Sequence, residues 1–257
     1  MSRPLFLLTN DDGIQSWFLE VLAQALLAHG DVQVVAPATP QSWVGRSLSC
    51  RGTVRVEAHH GLPCPAFAVH GTPTDCTHLA LRYLLPSPPA VVVSGINLGL
   101  NATLPLILSS GTVAGAIEGA LQGLPAVALS FRLPSDRFAE IHDAHGRVDG
   151  PIADAVRASA EHGAAFAASL VGTPWQAPVV HNLNYPTDMA PGRPTHRTRP
   201  AQRRFERLFE RTPEDGVFRF RFHPPTRTSD HPEDDDVCLF RGGVSHTVLD
   251  LSALGRP

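Results

Sequence analysis

The sequence predicts an α/β fold in three layers, with helices flanking a mostly parallel sheet. Short apolar runs bounded by turn residues alternate with helix-length amphipathic segments through the first half of the chain. Strands buried on both faces, joined by crossover helices, read this way. The 257 residues, 43% hydrophobic and 18% charged, are of ordinary globular composition and long enough for one large domain with an appendage.

The strands are expected at Leu5–Leu8, Val32–Val35, Val91–Val93 and Ala126–Leu129. Between them, Phe18, Val21, Leu22, Ala25 and Leu26 repeat at helical spacing. Val113, Ile117, Ala120, Leu121 and Leu124 do the same, and Pro73 opens a third helix from Thr74 to Leu85. Segments 48–58 and 66–70 read as shorter strands, a hairpin at the sheet edge, because Arg51-Gly52 and His60-Gly61 supply turn chemistry. A helix from Ile152 to Leu170 and a strand at Val179–Leu183 complete a core of about residues 1–183. Prolines and arginines then crowd the chain, and residues 184–237 read as an extended arm, followed by a C-terminal segment 238–257. Asp234-Asp235-Asp236 reads as an acidic turn before a strand-like Val237–Phe240. Phe218, Phe220 and Phe222 alternate with Arg219 and Arg221, the period of a strand with one apolar face. Such a strand could complete a sheet in a second copy of the chain, so a homodimer or tetramer through the arm is expected.

Composition excludes several functions. All 21 basic residues are arginine, so a Walker-type phosphate lysine and a Schiff-base lysine are both ruled out. The net charge of −3 gives no electrostatic case for a nucleic-acid or membrane partner. The arginines of 193–211 are interrupted by Glu206 and Glu210 and have no aromatic interleaved before Phe205, so they too fit a solvated or subunit-contacting arm. Cys50, Cys64, Cys76 and Cys238 show no ligand spacing, and no apolar run suggests a leader or a membrane span. A soluble, cytoplasmic protein with free thiols is the expectation.

In an open parallel sheet, ligands bind beyond the carboxyl ends of the strands. The first strand ends in Thr9-Asn10-Asp11-Asp12-Gly13, the second runs toward Gln41-Ser42, and the Val91–Val93 strand runs into Ser94-Gly95-Ile96-Asn97. These loops carry two carboxylates, a hydroxyl and a carboxamide, the oxygen-only set a hard divalent cation takes. The competing reading makes one aspartate a helix cap and the other a solvated turn residue. Adjacent carboxylates at a buried strand end repel, however, and a cation is the simplest neutraliser. Ser110-Gly111-Thr112 opens the helix of Val113, where backbone N–H groups and the helix dipole can hold an anion or the serine can merely cap. Gly115 and Gly119, inside that helix, are expected to serve close packing on the sheet.

Taken in order, Asn10-Asp11-Asp12-Gly13, Ala36-Pro37 with Gln41-Ser42, Gly71-Thr72-Pro73-Thr74-Asp75-Cys76, Val93-Ser94-Gly95-Ile96-Asn97 with Gly99 and Asn101, and Ser110-Gly111-Thr112-Val113 with Glu118-Gly119 resemble the signature blocks of the SurE family. The resemblance extends more weakly through Asn182–Pro186 and on to Ser245. It implies a Rossmann-like core, a divalent metal (Mg²⁺ or Mn²⁺) and hydrolysis of nucleoside 5′- and 3′-monophosphates. Carried over by position, Asp11, Asp12, Ser42 and Asn97 correspond to metal ligands, with Asp11 and Asp12 catalytic. Asn101, Ser110, Gly111 and Thr112 fall on the phosphate side. The chain departs from the family at Trp43, where glycine is usual, at Pro105 and Ser109, where an acidic residue and tyrosine are usual, and at Gln15-Ser16-Trp17, which lacks the usual Pro-Gly. A non-catalytic nucleotide-binding protein on the same scaffold is the alternative these rewritten loops leave open. A dinucleotide-dependent oxidoreductase would instead end its first strand in a glycine-rich turn.

Overall fold

A computed structural model describes residues 3–174, 176–224, 226–227 and 230–254. The strands of the first part are β1 (Leu5–Thr9), β2 (Asp31–Pro37), β3 (Val56–His59), β4 (Ala66–Val69), β5 (Val91–Leu98), β6 (Ala126–Phe131) and β7 (Val179–Tyr185). Its helices are α1 (Trp17–Leu27), α2 (Pro73–Leu79), α3 (Leu104–Ser109), α4 (Gly111–Leu121), α5 (Phe138–Asp143) and α6 (Gly150–Ser169), with one π-helical turn at Ala80–Leu84 extending α2. Then follow β8 (Thr195–Thr198), β9 (Arg203–Arg204), β10 (Phe209–Arg211), β11 (Phe218–Phe220), β12 (Thr226–Arg227), α7 (Asp235–Phe240) and β13 (Val244–Asp250).

Nine strands form one sheet in the order β3-β4-β2-β1-β5-β6-β7-β13-β8. From β4 to β7 all neighbours are parallel, whereas β3 and β13 run antiparallel to β4 and β7. Alternate residues of the strands feed two cores. Phe6, Leu8, Val34, Val93 and Leu129 meet Phe18, Leu22, Val156 and Ala160 of α1 and α6. Leu7, Val35, Val92 and Ala128 meet Cys76, Val113, Ala116 and Ala120 of α2 and α4. The second face is built of small residues, and a Cβ on Gly119 would lie 2.6 Å from Val92 Cγ2 and one on Gly115 3.0 Å from Thr9 Cγ2. Both glycines therefore let α4 press onto the sheet, as the sequence suggested.

The chain leaves β1 for β2 on one side and reaches β5 on the other. That divergence opens a crevice at the carboxyl ends of β1 and β5, the switch point where α/β proteins bind ligands.

Four expectations need correction. Residues 48–55 lie outside any strand, leaving only Val56–His59 to pair antiparallel with β4 at the sheet edge. Val237–Phe240 is helical, since Asp234 stands at the N-cap position and Asp235 and Asp236 occupy the first turn of α7, where carboxylates complement the helix dipole. The core does not stop at 183, because β13 pairs with β7 over Val179–Asn184 and β8 docks on β13. The strand at Phe218 pairs with β10 of its own chain as a hairpin. Trp43 packs against Phe205, Phe220 and Phe222, so part of the arm's apolar surface is covered from within the chain.

The arm is also tied down at its root. The buried Arg203 guanidinium donates to both oxygens of Asp236 at 2.9 and 2.8 Å and pairs with Asp234 at 3.3 Å, while Arg199 Nε donates to Asp234 at 3.0 Å. Asp235 accepts from the backbone N–H groups of Thr103 and Ala201, 2.8 and 3.0 Å away, linking α7 to the loop after β5. Among the described residues no helix is long and apolar enough to cross a membrane.

Candidate active site

Asp11 and Asp12 sit at the mouth of the crevice, buried at 6% and 7% exposure although both are carboxylates. The turn that carries them depends on Gly13, whose φ of +91° favours glycine and which abuts the chain after β2. Gln41 N–H donates to the Asp11 carbonyl at 2.7 Å, and Ile14 N–H donates to the Pro37 carbonyl at 2.8 Å, so the β2 loop is stitched onto the β1 loop. Ser42, the next residue after Gln41, is exposed.

The two carboxylates face different partners. Asp12 accepts from the Leu98 backbone N–H at 2.8 Å, which places it beside Asn97 at the end of β5. Asn97 Nδ2 donates to the Gly99 carbonyl at 2.9 Å, leaving its carboxamide oxygen available as a ligand. Asp11 accepts from the Thr112 hydroxyl at the start of α4. Gly111 presses against the same side chain, since a Cβ there would lie 2.7 Å from Asp11 Cβ and 2.9 Å from Oδ2. Burial pushes the Asp11 carboxyl above its ordinary value, and the Thr112 hydroxyl and the N–H groups of Gly111 and Thr112 only partly offset it. Asp12 is pushed well above its ordinary value by burial first and then by the Asp11 charge, against the Leu98 N–H. Among the described residues no arginine or histidine forms an ion pair with either carboxylate.

Two desolvated, mutually repelling carboxylates with no arginine or histidine counter-charge among the described residues form a donor pair that a cation would fit. The described residues contain no group of three or more His, Cys, Asp and Glu side chains placed to hold a metal. The donors that are together, two carboxylates with neutral oxygens, suit a hard ion such as Mg²⁺ or Mn²⁺, not zinc.

The phosphate-side residues divide. Gly111 and Thr112 begin α4 directly against Asp11, as expected. Ser110 is the N-cap and accepts from Val113 N–H at 3.0 Å, so the capping role is realised, with its own hydroxyl proton still free to donate. Asn101 is buried, donates one amide proton to Ser130 Oγ at 2.9 Å, and has its own backbone held by Asn182 and Asn184. It therefore braces β5, β6 and β7 at the floor of the crevice. Thr72 and Asp75, within another signature block, form a capping box at α2 with Asp75 also accepting from Ser49, a structural task. Sequence reading missed the Leu98 N–H and the asparagine brace, because contacts spanning 80 or more residues leave no local signal.

A family model described as survival protein SurE matches residues 6–207. A 5′-nucleotidase SurE of Methanospirillum hungatei is 43% identical over 169 residues, 63% of this chain and 60% of that protein. Those of Rhodospirillum rubrum and Methanoregula boonei are 38% and 39% identical, over 72% and 74% of this chain and 66% and 71% of theirs. Against the first two, the matched stretch thus spans just under two thirds of the relative's length. The crystal structure of the SurE protein from Aquifex aeolicus superposes with a TM-score of 0.67 at 29% identity, covering 96% of this chain and 94% of that one.

Proposed function

The chain belongs to the SurE family, and from that premise we propose that it is a divalent-metal-dependent phosphomonoesterase that hydrolyses nucleoside 5′- and 3′-monophosphates to nucleoside and phosphate. The observation that carries the reading is the pair of buried carboxylates, Asp11 and Asp12, each addressed by a backbone or hydroxyl donor and, among the described residues, neither by an arginine or histidine. The relatives' name, 5′-nucleotidase, supplies the substrate class.

Asp11, Asp12, Ser42 Oγ and Asn97 Oδ1 would hold the ion, which when bound neutralises the carboxylates and draws charge from a phosphate oxygen. The chain's own groups do the rest. Thr112 and Leu98 N–H fix the two carboxylates in separate directions. The Ser110 hydroxyl, whose proton is free to donate, and the positive end of α4 would meet a non-bridging phosphate oxygen, the N–H groups of Gly111 and Thr112 being turned to Asp11. Asp11 takes the proton of the attacking water, its carboxylate held toward the start of α4 by the Thr112 hydroxyl. The exposed Phe209 and Phe218 of the arm support a homodimer or tetramer formed through it.

Release of phosphate from a nucleoside monophosphate panel, with Mg²⁺, with Mn²⁺ and with chelator, is the test. Turnover should require the ion and fall by roughly 10³-fold or more in Asp11→Ala and Asp12→Ala. Correctly folded variants that keep most metal-dependent turnover would overturn the site assignment. Tight nucleotide binding without turnover by the parent protein would favour the non-catalytic alternative.

A further inference from the structure

Trp43 immediately follows Ser42, and its backbone adopts φ +62°, a left-handed conformation that a bulky residue seldom holds. A strained residue persists only where its surroundings hold it, and such positions gather at functional sites. What holds this one is aromatic. The ring centroid lies 5.1 Å from that of Phe220, 5.8 Å from Phe222 and 5.9 Å from Phe205, all from the arm. The ring is nevertheless 39% exposed, so the cluster grips one side of the indole and leaves another to solvent. The anchor is close to the chemistry. Gln41 N–H bonds the Asp11 carbonyl, Gln41 O lies 3.2 Å from where a Gly111 Cβ would stand, and two residues span at most about 7 Å. The open ring is therefore within a nucleoside's reach of the Asp11–Gly111 contact.

We propose that Trp43, backed by Phe205, Phe220 and Phe222, is the stacking surface for the base of the substrate, a specificity-determining residue selecting ring-bearing phosphate esters over ring-free ones. The inference rests on the nucleotidase reading above. An indole held by three rings, two of them in T-shaped contact and one tilted, keeps its orientation at low entropic cost, and every base has a face to lay on it. Stacking of this kind discriminates by the presence of a ring more than by its substituents.

The experiment compares kcat/KM for a nucleoside 5′-monophosphate with kcat/KM for glycerol 2-phosphate, a phosphate monoester without a ring, in the parent protein, Trp43→Gly and Trp43→Phe. Glycine suits the backbone conformation, so the first variant removes the ring without adding strain. The ratio of the two kcat/KM values is expected to fall about 5- to 150-fold in Trp43→Gly, chiefly through KM for the nucleotide, and to be largely restored in Trp43→Phe. Hydrolysis of both esters with a ratio unchanged within twofold in Trp43→Gly would overturn this inference alone and make the cluster a staple for the arm. Failure of the parent protein to hydrolyse either ester would overturn the nucleotidase reading and this inference with it.

Discussion

Adding one methyl group at Gly111 is a severe test of the site. Its φ is ordinary, so alanine is permitted by the backbone, and the obstacle is contact alone. The new Cβ would lie 2.7 Å from Asp11 Cβ, 2.9 Å from Asp11 Oδ2 and 3.2 Å from the Gln41 carbonyl oxygen. Asp11 Cβ cannot swing aside as a chain end could, and its carboxylate is held by Thr112. Either the carboxylate or the start of α4 must move by a good fraction of an ångström. Overpacking of this kind costs roughly 1–3 kcal/mol, which lowers Tm by about 2–12 °C in a domain of this size. A displacement near 1 Å in a reacting group costs about 100-fold in rate. Gly119→Ala is the matched control, because its Cβ would meet Val92 at 2.6 and 2.7 Å in the same helix, away from the carboxylates. Both variants should therefore lose stability on thermal scanning, but only Gly111→Ala should lose metal-dependent phosphate release, by about 100-fold or more. Turnover in Gly111→Ala within threefold of the parent, or equal losses in the two variants, would refute the claim that Gly111 exists to seat Asp11.

Three further outcomes are expected. Arg203→Ala leaves the buried Asp236 without the guanidinium that grips both its oxygens and weakens the hold on Asp234, and should cost about 3–5 kcal/mol in denaturant unfolding, a loss under about 1 kcal/mol contradicting the lock. His246 is half-buried beside His181, with ring nitrogens 3.0 Å apart, and burial, then the charges of His181, Arg197 and His162, push its pKa down to about 4. Its unfolded form binds the proton first, so this contribution to stability is complete above pH 6.5 and is lost as pH falls from 6.5 toward about 4; urea midpoints should show a shallower acid decline in His246→Gln, and parallel curves would refute it. Light scattering at micromolar concentration should give a multiple of the 27.6 kDa chain mass, and a monodisperse monomer would end the proposal of assembly through the arm.

Much of the fold was legible because its strands are buried on both faces, so Leu5–Leu8, Val32–Val35 and Ala126–Leu129 stand out as apolar runs without needing their partners. The later elements were less so. Asp234-Asp235-Asp236 can open a helix as readily as make a turn, and Arg203, whose ion pairs decide between them, lies some thirty residues away. β13 escaped because Val244–Asp250 mixes Ser, His and Thr with its apolar residues and borrows its burial from β7 and β8. At the site, the carboxylate pair and the small turn at Ser110 were readable from residue type, whereas the bracing of Asn101 by Asn182 and Asn184 depends on a distant strand that no spacing rule reaches.

The place of β13 between β7 and β8 has a consequence for how the protein is made. Synthesis proceeds from the N-terminal side, so β7 emerges with one edge open, and residues 195–198 emerge with nothing to pair with until residues 244–250 follow. During that interval a strand edge is unpaired, the condition under which nascent chains pair with the wrong partner. The stretch translated in between is dense in proline and arginine from Pro186 to Arg211, residues that resist strand addition. A stretch of that composition is a poor partner for an open strand edge while the sheet is unfinished.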